Sequence, residues 1–192
     1  MNARVNIVVS PDDDELTSLL NEYNENTRPI EGKGKGWNKF RGMVFQNLLC
    51  KYLGWHIPDD FKFAERSFVE GHPAEIDLIL LKRDAKPINV TSAYRKQDVV
   101  GVFEIKASGI FYSSNVAEEK LSNSVSRIEK GVDRPFAYIT RRENRTLAIA
   151  TRKAMGDRAF ILSEGDQKSS IKNRDEWSRL IDYLKRICRQ ST

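Results

Sequence analysis

Histidine, cysteine and long apolar runs are scarce in this chain of 192 residues, and each scarcity removes a class of function. The two cysteines, Cys50 and Cys188, stand apart in helix-like apolar patterns, which fits reduced core residues and excludes a disulfide framework or zinc site. Two histidines, His56 and His72, are too few for a histidine–metal nuclease. No apolar run approaches the ~20 residues of a membrane helix. Residues 1–10 lack the basic start and apolar core of a secretory signal, so a cytoplasmic protein is expected. Neither type of glycine-rich nucleotide-binding loop is present, and no internal repeat is visible.

What remains is a composition of 40% hydrophobic and 31% charged residues, that of a globular domain with a substantial core. The net charge of +5 is unevenly spread. Residues 10–31 hold seven acids against Arg28, a net of −6, which leaves +11 on the rest. An acidic N-terminal segment with a short helix (1–31) is therefore expected before an α/β domain (32–192). The basic body suits a polyanion, because Lys and Arg contacts to phosphate release counterions. A solvated basic surface would give the same count.

Apolar spacing predicts helices over 12–24 (Leu16, Leu19, Leu20, Tyr23), 37–53 (Trp37, Phe40, Val44, Leu48, Tyr52), 115–130, 145–155 and 174–188. Strands are predicted over 61–69, 75–81, 99–107, 135–140 and 159–162. The polar stretch 82–97 reads as a long hairpin loop. The order describes a mixed sheet flanked by helices.

Two of these strands carry charge where a core residue is expected. Glu75-Ile76-Asp77-Leu78-Ile79-Leu80-Leu81 holds Asp77, and Val99-Val100-Gly101-Val102-Phe103-Glu104-Ile105-Lys106-Ala107 holds Glu104 and Lys106. An unpaired buried ion is costly, so such groups pair with one another, bind metal or line an opening. Side chains alternate along a strand, which puts Glu104 and Lys106 on one face. If the two strands are antiparallel neighbours, Asp77 faces Glu104. Two carboxylates at that range repel unless a cation lies between them. Mg²⁺ accepts two carboxylates, a carbonyl such as that of Ile105, and waters. A surface salt-bridge ladder could also yield an acid-x-Lys triplet.

An acid on one strand and acid-x-Lys on the next, inside an α-β-β-β-α-β order, resembles the PD-(D/E)XK nuclease superfamily of restriction-endonuclease-like fold. The resemblance runs over residues 37–162 as an element order; Ile-Pro-Asp-Asp-Phe (57–61), Glu-Ile-Asp (75–77) and Val-Phe-Glu-Ile-Lys-Ala-Ser (102–108) look like bacterial members of unassigned role. It implies an Mg²⁺-dependent DNA endonuclease, with Mn²⁺ as a substitute, in restriction, defence or repair. Asp77, Glu104 and the Ile105 carbonyl would hold the metal, with Lys106 as the catalytic lysine. Many members carry a Glu ligand on the first helix, where this chain has Gln46; Glu65 or Glu75 could compensate. Lys82, Arg83, Arg95, Lys96, Ser108, Arg141 and Arg142 are candidate DNA contacts, as are Tyr112, Ser113, Ser114, Arg145, Arg152, Lys153 and Arg158. Duplex cleavage implies a homodimer or a partner nuclease subunit. Gln46 and the small size leave a second expectation, an inactive nuclease-fold protein serving as a nucleic-acid-binding or scaffold subunit.

Overall fold

The computed structural model describes residues 14–28, 34–88, 92–107, 131–165 and 170–191, with residues 119, 123, 126 and 128. Most of the helix predicted over 115–130 lies outside the described residues, as do Ser108, Tyr112, Ser113 and Ser114.

Helix α1 (Glu15–Thr27) starts where Asp14 accepts the Thr17 N–H at 2.7 Å, a side-chain cap that satisfies one free amide. Helix α2 (Lys35–Gly54) follows Gly34, whose φ of 99° suits the glycine connector. Strands β1 (Phe61–Val69), β2 (Ile76–Lys82), β3 (Ala93–Tyr94) and β4 (Val99–Lys106) precede β5 (Phe136–Thr140). Helix α3 (Arg145–Met155) and strand β6 (Ala159–Ile161) come next. A small hairpin of β7 (Ser163–Gly165) and β8 (Ser170–Lys172) leads to the closing helix α4 (Arg174–Arg189). The main sheet runs β3-β1-β2-β4-β5-β6. The β1–β2 and β2–β4 pairs are antiparallel, while β3–β1, β4–β5 and β5–β6 are parallel.

The unbroken apolar run of β4 predicts a strand covered on both faces, and it is. Odd positions Phe103 and Ile105 join Leu78 and Leu80 against the stripes of α1, α2 and α4. Even position Val102 joins Ile79, Leu81, Phe136 and Tyr138 on the other face, with Met155 of α3 and Ile128. The acidic helix α1 belongs to the first of these cores through Leu16, Leu19, Leu20 and Tyr23. Truncating one such leucine to alanine costs about 2–5 kcal/mol. Both cysteines are free thiols; burial, reinforced by Glu65, pushes Cys50 up to about 12, and burial pushes Cys188 up to about 11. Among the described residues no helix is long and apolar enough to cross a membrane.

The stretch 82–97 is not a simple hairpin loop. It contains β3, bound to β1 by Phe68 N–H to Ser92 O and Glu70 N–H to Tyr94 O, both 2.8 Å. A 3₁₀ turn, Lys96–Asp98, then leads into β4. A two-residue strand held by main-chain bonds leaves no side-chain period to read. The three-residue strands β7 and β8 escaped for the same reason.

His72 packs against Gly131 so closely that a Cβ at 131 would lie 2.4 Å from the imidazole Cδ2. The ring is buried and its Nδ1 is 2.9 Å from the Ala74 carbonyl, so it has little room to retreat. Gly131→Ala is expected to cost about 1–3 kcal/mol, read as a lower urea midpoint at unchanged m-value.

Candidate active site

Antiparallel pairing of β2 with β4 sets Leu78 opposite Phe103 and Ile79 opposite Val102, so Asp77 and Glu104 come next on the ladder. There the regular main-chain pairing stops. Instead, Asp77 Oδ2 accepts the Ile105 N–H at 2.7 Å. Backbone groups alternate sides along a strand. Val102 N–H bonds Pro135 O, and Arg141 N–H bonds Lys106 O, so the even residues of β4 face β5. Ile105 therefore turns both its N–H and its C=O towards β2. The N–H is taken by Asp77; the carbonyl opens on the same side.

Lys106 Nζ is 3.3 Å from Asp77 Oδ2 and also pairs with Glu104 Oε1. Asp77, Glu104 and Lys106 side chains are 25%, 24% and 31% exposed, so the cluster lies at an opening. Burial alone would lower the Lys106 ammonium, but Glu104 and Asp77 outweigh it and raise its pKa. The lysine is thus held charged, and it offsets the repulsion between two facing carboxylates.

The other expected residues fall in different places. Gln46 is buried, and its Nε2 donates to the Asp77 carbonyl oxygen at 2.5 Å. It fixes the backbone of Asp77 from the α2 side. Glu65 pairs with Leu78 on the ladder, which puts it on the α2 face, away from the Asp77 side chain. Glu75 is exposed and pairs with Arg66 at 3.2 Å. Arg66 itself has a φ of 46°, a bend in β1 at the rung where Asp77 would otherwise be paired.

Lys82 and Arg83 lie at the far end of β2, roughly 16 Å from Asp77 by strand rise. They line a separate cavity of about 390 Å³ with Asp60, Phe61, Asp84 and Ser191. Arg95 and Lys96 precede the first residue of β4, seven positions from Lys106. Arg141 and Arg142 follow β5 directly, at the Lys106 end of the sheet. Arg152 is engaged by Glu164 and Glu176.

The donor set at the opening is two carboxylates and a peptide carbonyl. Among the described residues no group of three His, Cys, Asp or Glu could hold a metal ion. Two carboxylates and a peptide carbonyl are oxygen donors, the class that a hard cation such as Mg²⁺ would accept.

No protein-family model matches the chain, and no curated protein does. Solved structures do share its fold. NucC of P. aeruginosa ATCC27853, in its cAAA-bound form, superposes with a TM-score of 0.59 at 14% identity, over 90% of this chain and 88% of that one. NucC of E. coli MS115-1, also cAAA-bound, gives 0.53 at 14% identity, over 92% of both chains. The likeness is one of fold. The chain has the restriction-endonuclease-like α/β fold, a mixed six-stranded sheet flanked by helices.

Two residues beside the site gave no recognisable motif. Tyr138 stands opposite Glu104 on β5, buried, with its hydroxyl 3.5 Å from Glu143 Oε1. Burial, then the charges of Glu143, Glu104 and Asp77, keep it protonated by pushing its pKa well up. Glu143 is 3% exposed and its Oε2 has no hydrogen-bond partner. Burial raises its carboxyl to about 7, against the lowering effects of Thr151, Tyr138 and Arg152. An acid directly after an apolar strand and two arginines was the available signal.

Two outcomes are expected. Gln46→Glu replaces the donor facing the Asp77 carbonyl with an acceptor, so chemical denaturation at neutral pH should show a loss of about 1–3 kcal/mol. Glu143 binds its proton more tightly folded than unfolded, so it erodes stability as pH rises from about 4.5 to about 7. Glu143→Gln should therefore match the parent near pH 4 and gain on it through that window, then hold a constant lead. Parallel stability–pH curves for the two proteins would contradict the assignment.

Proposed function

We propose that the protein is a metal-dependent endonuclease that hydrolyses phosphodiester bonds in DNA, in the cytoplasm, in a restriction, defence or repair setting. The observation that carries this reading is the meeting of Asp77, Glu104 and Lys106 at the open end of β2 and β4. Asp77, Glu104 and the Ile105 carbonyl would hold Mg²⁺, or Mn²⁺ in its place, which supplies Lewis acidity towards a phosphoryl oxygen and lowers the pKa of bound water.

The chain's own groups supply the rest. Asp77 is fixed twice, by its carboxylate on Ile105 N–H and by its carbonyl on Gln46, so its orientation is set before any ligand arrives. A phosphodiester is anionic and resists an anionic nucleophile. Lys106, kept protonated by its two acidic neighbours, offsets that repulsion and stabilises charge on the transferring phosphoryl group. Cleavage of both strands of a duplex calls for two such sites, hence a homodimer or a partner nuclease subunit.

A second reading, a non-catalytic nucleic-acid-binding or scaffold subunit, rests on Gln46, whose amide supports the backbone and adds no carboxylate. Incubating purified protein with supercoiled plasmid and Mg²⁺ or Mn²⁺ separates the two. Because both NucC structures contain cAAA, the assay is run with and without that nucleotide. Metal-dependent nicking or linearisation is expected, with Lys106→Ala and Asp77→Ala each slower by on the order of 10²-fold or more. Salt-sensitive DNA binding with no hydrolysis in any condition would establish the second reading; undiminished cleavage by both variants would place the chemistry elsewhere.

A further inference from the structure

Arg141 is an almost fully enclosed cation with no carboxylate beside it among the described residues. It is 7% exposed. Its main-chain N–H bonds Lys106 O at 2.9 Å, and its Nε donates to Ala107 O at 2.9 Å. Its guanidinium carbon lies 4.3 Å from the centroid of the Tyr23 ring. The hydroxyl of the same tyrosine accepts Nε of Arg41 at 3.0 Å. One aromatic side chain of α1 thus carries a guanidinium on its face and a second on its oxygen, and Arg142 is next in the chain.

Among the described residues neither Arg141 nor Arg41 has an acid within ion-pair distance. Burial pushes the Arg141 guanidinium down to about 10, and Arg142 and Arg41 add to that against the pull of Tyr23. Elsewhere the fold treats arginine differently: Arg152 meets Glu164 and Glu176, and Arg179 meets Glu176 at 2.6 Å. Seating Arg141 and Arg41 on one tyrosine with no acid beside them among the described residues is unfavourable in isolation. It is the arrangement that an anionic ligand would reward. The Tyr23 ring and the Ala107 carbonyl hold Arg141 in place, and a planar guanidinium fork matches phosphate oxygens.

Position then suggests which anion. Lys106 and Ala107 are consecutive, and side chains alternate, so Lys106 points to the α3 side of the sheet. Ala107 and the Tyr23–Arg141 pair lie on the α2 side. A chain of phosphates laid across this end of β4 meets the Asp77–Glu104–Lys106 cluster and the arginines in succession. We propose that Arg141 and Arg41 form a phosphate subsite that grips the backbone of a nucleic-acid strand beside the phosphodiester held at Asp77, Glu104 and Lys106. The identity of its ligand rests on the phosphodiesterase reading above.

The test separates binding from hydrolysis. Asp77→Asn, as the full chain, is titrated with fluorescently labelled single- and double-stranded DNA between 50 and 200 mM KCl, by anisotropy. Arg41→Gln, Arg141→Gln and Arg141→Lys are compared in the same background, each checked for an unchanged thermal midpoint. Arg41→Gln is the safeguard should Arg141→Gln fail to fold, because Arg41 is only half-buried. Each glutamine variant is expected to weaken binding about tenfold and to flatten the log K against log salt slope by roughly 0.7–0.9, one phosphate contact. Arg141→Lys should recover the slope but only part of the affinity, since charge returns without the fork. Parental affinity and slope in Arg41→Gln and in folded Arg141→Gln would overturn the subsite, and would do so whether or not plasmid is cut. Arginine-dependent slopes with no cleavage by the unmutated protein would keep the subsite and discard hydrolysis. Thermal stabilisation of the unmutated protein by inorganic phosphate, lost in Arg141→Gln, alongside parental DNA binding, would overturn the nucleic-acid assignment.

Discussion

The hydrogen bond from Ile105 N–H to Asp77 Oδ2 ties the sheet to the Asp77–Glu104–Lys106 cluster. Two central strands would ordinarily continue their ladder with main-chain acceptors. Here a side-chain carboxylate takes over at the rung where they part, so the end of the pairing and the beginning of the site are one event. Everything else at this end follows from that carboxylate's position. Lys106 can reach both acids because Asp77 is held against β4, and Gln46 can bond the Asp77 carbonyl because that residue no longer pairs regularly on both sides. The bend at Arg66, on the neighbouring strand, occurs at the same level.

Much of this was readable from the residues. The apolar periods located α2, α3, α4, β1, β2, β4, β5 and β6 to within a few positions, because each buries a stripe or a run long enough to show a period. Parity along β4 and an antiparallel neighbour were sufficient to bring Asp77, Glu104 and Lys106 together. Basic residues were harder to sort. Lys82 and Arg83 sit at the wrong end of β2, since a residue's distance along a strand grows by about 3.3 Å per step whatever its charge. Arg141 stood with Arg142 as a candidate DNA contact, and nothing in the local sequence announces that Tyr23, more than a hundred positions earlier, supplies the ring beneath it. Gln46 was singled out on the strength of family likeness, as the residue standing where many members carry a Glu. Its actual partner, a main-chain carbonyl, is a tertiary fact with no sequence pattern.

The acidic N-terminal helix also has a more specific place than its charge implied. Glu15 Oε2 meets His56 Nε2 at 2.6 Å and the Trp177 indole N–H at 3.3 Å, which links α1 to α2 and α4. Glu22 takes Lys51 at 2.8 Å and the Tyr52 hydroxyl at 3.1 Å. These acids are spent within the domain, on the helices against which α1 packs. Tyr23, from the same helix, reaches towards the basic end of the sheet. The helix is at once a wall of the core and a support for two arginines.

Asp77 has two employers, and this bears on how such a protein could change over generations. Its carboxylate closes a backbone amide in the middle of the sheet, a service the fold needs whether or not any bond is ever cut. Among the described residues Lys106 Nζ meets the side chains of Asp77 and Glu104 and no main-chain group. In a lineage in which the site had no such use, drift would reach the lysine first and leave the aspartate standing. Lys106 therefore bears on the proposed hydrolysis more directly than Asp77, which the sheet itself also uses.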